Sequence, residues 1–352
     1  MRRSPRVTLH TPLCDLLGME FPILNVGFGG GAPAELAADV SNAGGFGVVG
    51  GTVPVETGIG FIRGARELTT RPFGINLIIA KQTDPETADQ LAAMVDAYVA
   101  EGVDALVLFW GDPAPYVPVA HAAGVKVLLQ VGSVREAEDA AAAGVDAVIL
   151  QGIEAGGHVK ATESIWKHLP VAVDAVRPLP VIASGGIGDG AGIARALALG
   201  AQGVSLGTRF VASEEASVNA DYRRRVVAAR AEDTWYGLLF DVGWPGAPHR
   251  VLRNRAVDEW EAAGRPESGK RPGEGDVIGR RDDTEIVRYS SIMATAAFVG
   301  DVELASLWAG ESCGIVNDVL PAGEIVRRLV EEFYSVTTYS NEAQQTTAKS
   351  AS

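Results

Sequence analysis

The chain is poor in cysteine: Cys14 and Cys313 are its only two, and they lie far apart among 352 residues. This spacing excludes a disulfide framework and any cysteine-rich metal site, and it favours a cytoplasmic protein in a reducing environment. No group of His, Cys, Asp and Glu has the spacing of metal ligands, so no metal is predicted. A Gly-x-Ser-x-Gly nucleophile elbow is also absent, which disfavours the hydrolases that use one.

Long apolar runs are missing as well, so neither a signal peptide nor a membrane-spanning helix is expected. Positive charge is scarce, with 30 Lys and Arg against 44 Asp and Glu and a formal net charge of −14. Such an acidic balance disfavours nucleic acid and anionic membranes as partners. Apolar residues still make up 47% of the chain, which is enough to build a large core.

Glycine is abundant, and it recurs in a weak internal repeat. Each unit ends a helical pattern with a small residue and glycine and then enters an apolar strand, as in 100–109, 122–130 and 142–151. Glycine suits the end of a helix because that position needs a left-handed backbone. Continuous apolar strands are typical of a parallel sheet that is buried on both faces. Eight strands are predicted: Ile23–Val26, Gly47–Gly50, Phe73–Leu77, Ala105–Phe109, Lys126–Gln130, Ala147–Leu150, Val181–Ala183 and Val204–Leu206.

Eight strand-then-helix units in about two hundred residues predict an α/β protein with a (β/α)8 TIM barrel. An open doubly wound sheet is the alternative, but no early Gly-x-Gly-x-x-Gly with a downstream acid supports it. We expect a barrel over 1–213, a mainly helical cap over 214–303, a C-terminal helix over 304–336 that returns to the barrel, and a disordered tail over 337–352. Within the cap, 264–283 is expected to be an exposed loop.

Polar residues end the predicted strands at the same place in each unit, where a barrel carries its active site. Neutral amides and hydroxyls in that position suit a heterocycle with both donors and acceptors, such as a flavin. The turns after the last two strands are rich in glycine, which lets backbone amides approach a phosphate. The polar strand ends are Asn25, Asn76, Gln130, Gln151, Ser184 and Gly207-Thr208, and the glycine turns are Ser184-Gly185-Gly186 and Gly207-Thr208.

His158 is the candidate catalytic residue. It follows a predicted buried strand and the glycine pair Gly156-Gly157, which leaves room beside it for a planar ligand. Histidine is the side chain best matched to proton transfer near neutral pH. His249 falls in the cap, where it is a second candidate for contact with substrate.

These motifs together resemble the nitronate monooxygenases, once called 2-nitropropane dioxygenases, over most of the chain. The matching segments are Phe21-Pro22-Ile23, 41–45, 71–76, 151–158, 184–190 and Gly207-Thr208-Arg209-Phe210. The resemblance implies FMN as cofactor and His158 as the catalytic residue beside it. It implies that the isoalloxazine and ribityl chain contact Asn25, Val26, Gly27, Asn76, Gln130 and Gly157, and that the phosphate is held by Ser184, Gly185, Gly186, Gly207 and Thr208.

The implied reaction oxidises a nitronate or nitroalkane with dioxygen to a carbonyl compound and nitrite, with a homodimer as the candidate assembly. Glu311 stands where the family usually has glutamine, and a carboxylate facing the cofactor would repel an anionic nitronate. The main alternative is an NAD(P)H-dependent enoyl-acyl-carrier-protein or quinone reductase with the same scaffold and cofactor. A phosphate-sugar lyase or isomerase and a non-catalytic flavin-binding module are the remaining alternatives.

Overall fold

The computed structural model describes residues 8–80 and 85–350. The first nine strands are β1 (Ile23–Asn25), β2 (Gly47–Gly50), β3 (Phe73–Ile78), β4 (Ala105–Phe109), β5 (Lys126–Val131), β6 (Ala147–Gln151), β7 (Gly157–His158), β8 (Val181–Ser184) and β9 (Gly203–Leu206). All except β7 form one parallel sheet in the order β1-β9-β8-β6-β5-β4-β3-β2. A bridge between Leu24 and Phe46 joins β1 to β2, so the sheet closes. The predicted (β/α)8 barrel is confirmed.

Twelve α-helices lie in the described residues: α1 (Pro12–Leu17), α2 (Ala34–Asn42), α3 (Val55–Leu68), α4 (Pro85–Ala100), α5 (Val117–Ala122), α6 (Val134–Ala142), α7 (Ile165–Val176), α8 (Gly190–Ala198), α9 (Thr208–Val211), α10 (Ala220–Ala228), α11 (Arg255–Ala262) and α12 (Ala322–Ser350). Eight of them, α2 to α8 and α12, surround the barrel, and α12 comes late in the chain. Helix α12 packs against α8 and α2 and completes the outer ring. The cap is therefore an insertion into the last β/α unit, between β9 and α12.

Apolar side chains fill both sides of the barrel wall. One core lies between the strands and the outer helices, and it includes Ile325, Leu329 and Phe333 of α12. A second core fills the barrel interior, where Leu13 and Leu17 of α1 cover the amino-terminal end. This packing leaves only the carboxyl ends of the strands open toward the cap.

The expectation of a mainly helical cap needs correction, because the cap also contains five strands. These are β10 (Thr234–Gly237), β11 (His249–Leu252), β12 (Val277–Arg281), β13 (Thr284–Val287) and β14 (Phe298–Gly300). Strands β10, β11 and β7 form one small antiparallel sheet, and β13, β12 and β14 form another. These strands form by pairing between segments that are distant in the sequence, so local composition does not predict them.

The segment 264–283, expected to be an exposed loop, contains β12 in its second half. Its first half is held by the buried Arg271, which pairs with Asp241 at 2.7 Å and donates to the carbonyl of Leu239 at 2.9 Å. The turn Asp282-Asp283 then connects β12 to β13, and Asp282 adopts a positive φ of 53°. The segment is rich in glycine and arginine, which predicted an exposed loop, whereas the structure anchors it at both ends.

The carboxyl-terminal helix is longer than expected. α12 continues to Ser350, so 337–350 lies in a helix and not in the disordered tail that its polar composition predicted. A helix that begins on the barrel surface is extended at low cost, because each added residue makes one further backbone hydrogen bond. No helix among the described residues is long and apolar enough to cross a membrane.

Candidate active site

A cavity of about 590 Å³ opens at the carboxyl ends of the barrel strands, beneath the cap. Ten of the eleven predicted cofactor-contacting residues line it, together with His158. These ten are Val26, Gly27, Asn76, Gln130, Gly157, Ser184, Gly185, Gly186, Gly207 and Thr208. The cap contributes Gly243, Trp244, Arg281, Ser291, Ile292, Met293 and Thr295 to the same cavity.

Asn25 is the exception, and its predicted contact with a cofactor needs correction. Its side chain is 1% exposed and points across the barrel seam. The amide donates to the carbonyl of Val48 at 2.8 Å, and its oxygen accepts from the Val48 N–H at 2.8 Å. Asn25 thus replaces ladder hydrogen bonds between β1 and β2, so its amide is already committed to closing the barrel.

The two glycine turns present backbone groups to the cavity. Gly185 and Gly186 have φ values of 106° and 68°, which only glycine adopts at low cost. Neither amide donates a turn or loop hydrogen bond to backbone within the part of the chain that the structure describes. At Gly207 an added Cβ would meet only Val26, at 3.7 Å, so the fold itself does not need glycine there. Backbone amides in glycine turns beside an open glycine fit a cradle for a phosphate.

Thr208 links this cradle to the segment after the cap. Its hydroxyl oxygen accepts from the N–H of Gly310 at 2.9 Å, which leaves the hydroxyl proton available to a ligand. Arg209, the next residue, turns away from the cavity and pairs with Asp318 at 2.7 Å. The candidate phosphate cradle therefore contains neutral groups only.

The chain segment before His158 needs glycine because another segment crosses it. A Cβ at Gly156 would collide with the backbone of Ala309 and Gly310. Glu311 N–H donates to the carbonyl of Glu154 at 2.9 Å, which fixes the crossing. Gly157 then adopts a φ of 73° with open space around it.

Strand β7 holds the backbone of His158 from two sides. Its residues pair with β11 of the cap, with His158 opposite His249 and Gly157 opposite Arg250. On the barrel side, the amide of Gln151 donates to the carbonyl of His158 at 2.9 Å and accepts from the Lys160 N–H at 2.9 Å. His158 therefore sits at the seam between barrel and cap.

Three tryptophans surround the imidazole. Its ring centroid lies 4.1 Å from that of Trp244 and 5.1 Å from that of Trp308, while Trp110 approaches edge-on at 6.3 Å. The Nε2 atom is buried and has no hydrogen-bond partner among the described residues. Burial, together with the neighbouring His249, lowers the pKa of His158 to about 3. The ring is therefore neutral at physiological pH, and one nitrogen is available to a ligand.

His249 has a structural part in this arrangement. It is fully buried, and both of its ring nitrogens contact backbone: Nε2 accepts from Phe240 N–H at 3.1 Å and Nδ1–H donates to the Ala247 carbonyl at 3.0 Å. Burial lowers its pKa to about 4. It does not line the cavity, so the position of this second candidate does not support contact with substrate. Its two bonds instead fix the loop that carries Trp244.

The charge of Glu311 is neutralised away from the cavity. Its carboxylate pairs with Arg250 at 3.1 Å, and it is not one of the cavity-lining residues. Arg250 is itself largely buried, and it donates to the Ile153 carbonyl and to the Thr234 hydroxyl. The predicted repulsion between Glu311 and an anionic nitronate is thus not supported by its position.

Trp244, Trp308 and Arg281 line the cavity and were not predicted from the sequence, nor was Trp110, which contacts the imidazole without lining the cavity. Trp110 directly follows β4, so the rule applied to other strand ends would have found it. Trp244 and Trp308 lie on irregular segments 64 positions apart, where no local pattern signals that they meet.

Comparison with known proteins agrees with this geometry. The family model described as nitronate monooxygenase matches residues 10–332. The nitronate monooxygenase of Pseudomonas aeruginosa is 34% identical over 358 residues, covering 90% of this chain and 97% of that protein. The (3aS,4S,5R,7aS)-5-hydroxy-7a-methyl-1-oxo-octahydro-1H-indene-4-carboxyl-CoA dehydrogenase of Mycobacterium tuberculosis is 31% identical over 350 residues, covering 92% and 95%.

A solved structure supports the same relationship. FabK from Thermotoga maritima superposes with a TM-score of 0.79 at 30% identity, covering 96% of this chain and all of that one. The nitronate monooxygenase family and its FabK neighbour are flavin enzymes in general. The match over 10–332 shows that the chain belongs to the nitronate monooxygenase family and is an oxidoreductase enzyme.

Proposed function

We propose that this protein binds FMN and oxidises alkyl nitronates or nitroalkanes with dioxygen, giving a carbonyl compound and nitrite. The observation that carries the proposal is the neutral His158, whose buried Nε2 has no partner among the described residues and whose cavity also contains the glycine cradle. A proton acceptor and a candidate phosphate cradle thus share one cavity.

FMN fits the cavity better than a dinucleotide does. The cradle at Gly185, Gly186 and Gly207 offers one phosphate position, and the chain contains no dinucleotide-binding fingerprint. Asn76 and Gln130 provide neutral donors and acceptors for the edge of a flavin ring. When bound, the flavin supplies the electron-accepting and dioxygen chemistry that protein side chains do not provide.

His158 acts as the general base that deprotonates the substrate. Its unprotonated nitrogen accepts a proton from the carbon of a neutral nitroalkane, and the nitronate anion that forms beside the ring favours the imidazolium. Trp244 and Trp308 exclude water from this exchange. A preformed nitronate needs no proton transfer, so His158 then only holds its oxygens.

A second candidate is an NAD(P)H-dependent reductase. Two findings favour it: a relative of 31% identity is named as a CoA dehydrogenase, and the cavity extends from the cradle to Met94 of α4 and Arg281 of the cap. A substrate larger than a simple nitronate would use that extension.

Anaerobic mixing of the purified protein with a nitronate or with NADH separates the two candidates. We expect the nitronate to bleach the visible flavin absorbance and air to restore it, while NADH leaves it unchanged during a turnover. Rapid bleaching by NADH with no response to nitronates would establish the reductase instead. Heat-released cofactor should run as FMN on chromatography; FAD, or a colourless protein that takes up no FMN, would contradict the cofactor.

A further inference from the structure

Arg281 is the only charged side chain among the described residues that line the cavity. The other titratable lining residue, His158, is neutral because its pKa is lowered. The remaining lining residues are glycine, apolar side chains and uncharged polar ones. In a protein with a formal net charge of −14, a lone positive group in the cavity is a distinctive feature. The charge of this lining residue is thus opposite in sign to the net charge of the protein.

Arg281 differs from most of the other cap arginines because it has no ion-pair partner. Arg223 also lacks one among the described residues, but it does not line the cavity and donates to the Ala216 carbonyl. Arg250, Arg253, Arg255, Arg265, Arg271, Arg280 and Arg288 each pair with a carboxylate within 4 Å, and Arg281 pairs with none in the described part of the chain. A guanidinium stays ionised at all physiological pH values. Holding that charge partly buried without a counter-ion has a free-energy cost that an anionic ligand would offset.

Strand geometry explains why Arg281 faces the cavity while its neighbour does not. Strand β12 is paired on both sides, with Arg281 opposite Thr284 on β13 and Phe298 on β14. Successive side chains of a strand point to opposite faces. Arg280 accordingly points to solvent and pairs with Glu285 at 2.9 Å.

We propose that Arg281 determines substrate specificity by binding a carboxylate or phosphate on the part of the substrate away from the reacting carbon. The reacting end lies at His158, whose ring contacts are Trp110, Trp244, Trp308 and His249 and do not include Arg281. A planar guanidinium binds either anion through two parallel N–H···O bonds. This inference rests on the proposed function for the identity of the reaction, while the anion site is inferred from the position of Arg281 alone.

The kinetic test compares Arg281→Gln with Arg280→Gln, which removes the same charge one residue away and outside the cavity. The substrates are the nitronate of 1-nitropropane and the nitronate of a nitroalkanoate with a terminal carboxylate. Arg281→Gln should lower kcat/KM for the carboxylate-bearing nitronate about 10- to 100-fold, mainly through KM, and change the simple nitronate less than about 3-fold. Arg281→Lys should recover part of the loss, and Arg280→Gln should behave as the wild type. Equal losses on both nitronates would overturn the proposal, because Arg281 would then bind the reacting group.

A binding test keeps the anion site separate from the reaction. Butyrate and phosphopantetheine are titrated into the flavin-loaded protein while tryptophan fluorescence and flavin absorbance are recorded. Weaker binding of butyrate alone to Arg281→Gln assigns a carboxylate, and weaker binding of phosphopantetheine alone assigns a phosphate. Either result supports the site even if nitronates prove not to be substrates. Equal Kd values for wild type and Arg281→Gln with both probes would overturn it.

Discussion

The barrel and the cap contribute different kinds of chemical group to one cavity. The barrel turns offer backbone amides and glycine, at Gly185, Gly186 and Gly207. The cap and the segment after it offer large side chains, namely Trp244, Arg281 and Trp308. A backbone cradle tolerates almost no substitution, because any side chain occupies the space of the ligand. Side-chain walls can change one residue at a time, so the barrel half suits a constant cofactor and the cap half suits a variable substrate.

The largest effect is expected from filling the cradle. Gly207→Asp should abolish flavin binding, since its carboxylate would stand where backbone amides meet a phosphate. The barrel should still fold, because an added Cβ at Gly207 meets only Val26, at 3.7 Å. Flavin absorbance per protein and far-ultraviolet circular dichroism measure the two outcomes.

Gly60→Asp is the matched control, as Gly60 lies on α3 with no atom within 4 Å of an added Cβ. Gly186→Asp should also lose the flavin, but its φ of 68° adds backbone strain, so Gly207 gives the cleaner result. Normal flavin occupancy in Gly207→Asp would show that the cradle holds no phosphate.

The next effect is expected at the seam between the two halves. His158→Ala should keep the flavin and lose about 10²–10⁴-fold in activity on neutral nitroalkanes, the usual range for a positioned general base. Preformed nitronates should lose less, because they need no deprotonation. Steady-state kinetics on each nitroalkane and its own nitronate check this. Equal losses would make His158 a substrate-binding group, and no loss would remove it from the site.

The barrel and the cap also differ in how much of their structure could be predicted from the sequence. Every barrel strand was predicted within two residues at either end, because a buried parallel strand is a continuous apolar run and its turns contain glycine. Asn25 was misassigned since its partner, Val48, becomes a neighbour only when the barrel closes. The cap strands β11 and β12 depend on pairing with distant segments. The meeting of Trp110, Trp244 and Trp308 depends on three loops from both halves, which no local pattern specifies.

A smaller effect should follow from loosening the cap from the segment before His158. Arg250→Met removes the hydrogen bonds to the Ile153 carbonyl and the Thr234 hydroxyl and leaves Glu311 without its partner. Lost hydrogen bonds from a charged group suggest about 2–3 kcal/mol of destabilisation. Flavin occupancy should persist, because the cradle lies in the barrel.

Denaturant unfolding of Arg250→Met and of Arg250→Met/Glu311→Gln checks the origin of this effect. The second substitution removes the unpaired carboxylate, so the double variant should recover part of the stability. Glu311→Gln alone should cost less than Arg250→Met, because Arg250 keeps its two other acceptors. Loss of the flavin in Arg250→Met would contradict the separation of the two halves.

The smallest effect concerns pH, and it tests whether His249 is a structural group of the cap. Burial lowers its pKa from an ordinary 6.5 to about 4, so between these values the unfolded chain binds a proton that the folded protein does not. Stability therefore falls as pH falls through this window. From pH 7 to pH 5 the contribution from His249 is about 2 kcal/mol. Protonation would also remove the lone pair that accepts from the Phe240 N–H.

His249→Gln isolates this contribution, because a glutamine oxygen can accept from the same N–H but does not titrate. The wild type should lose about 2 kcal/mol more than the variant between pH 7 and pH 5 in urea unfolding. Burial is the larger cause of the lowered pKa of His158 and His249 the smaller, so the folded-state His158 titrates below this pH range in both proteins and contributes little to the difference. Equal losses would mean that His249 is hydrated in solution. The loop that positions Trp244 over His158 would then be held by something other than the two backbone hydrogen bonds of that ring.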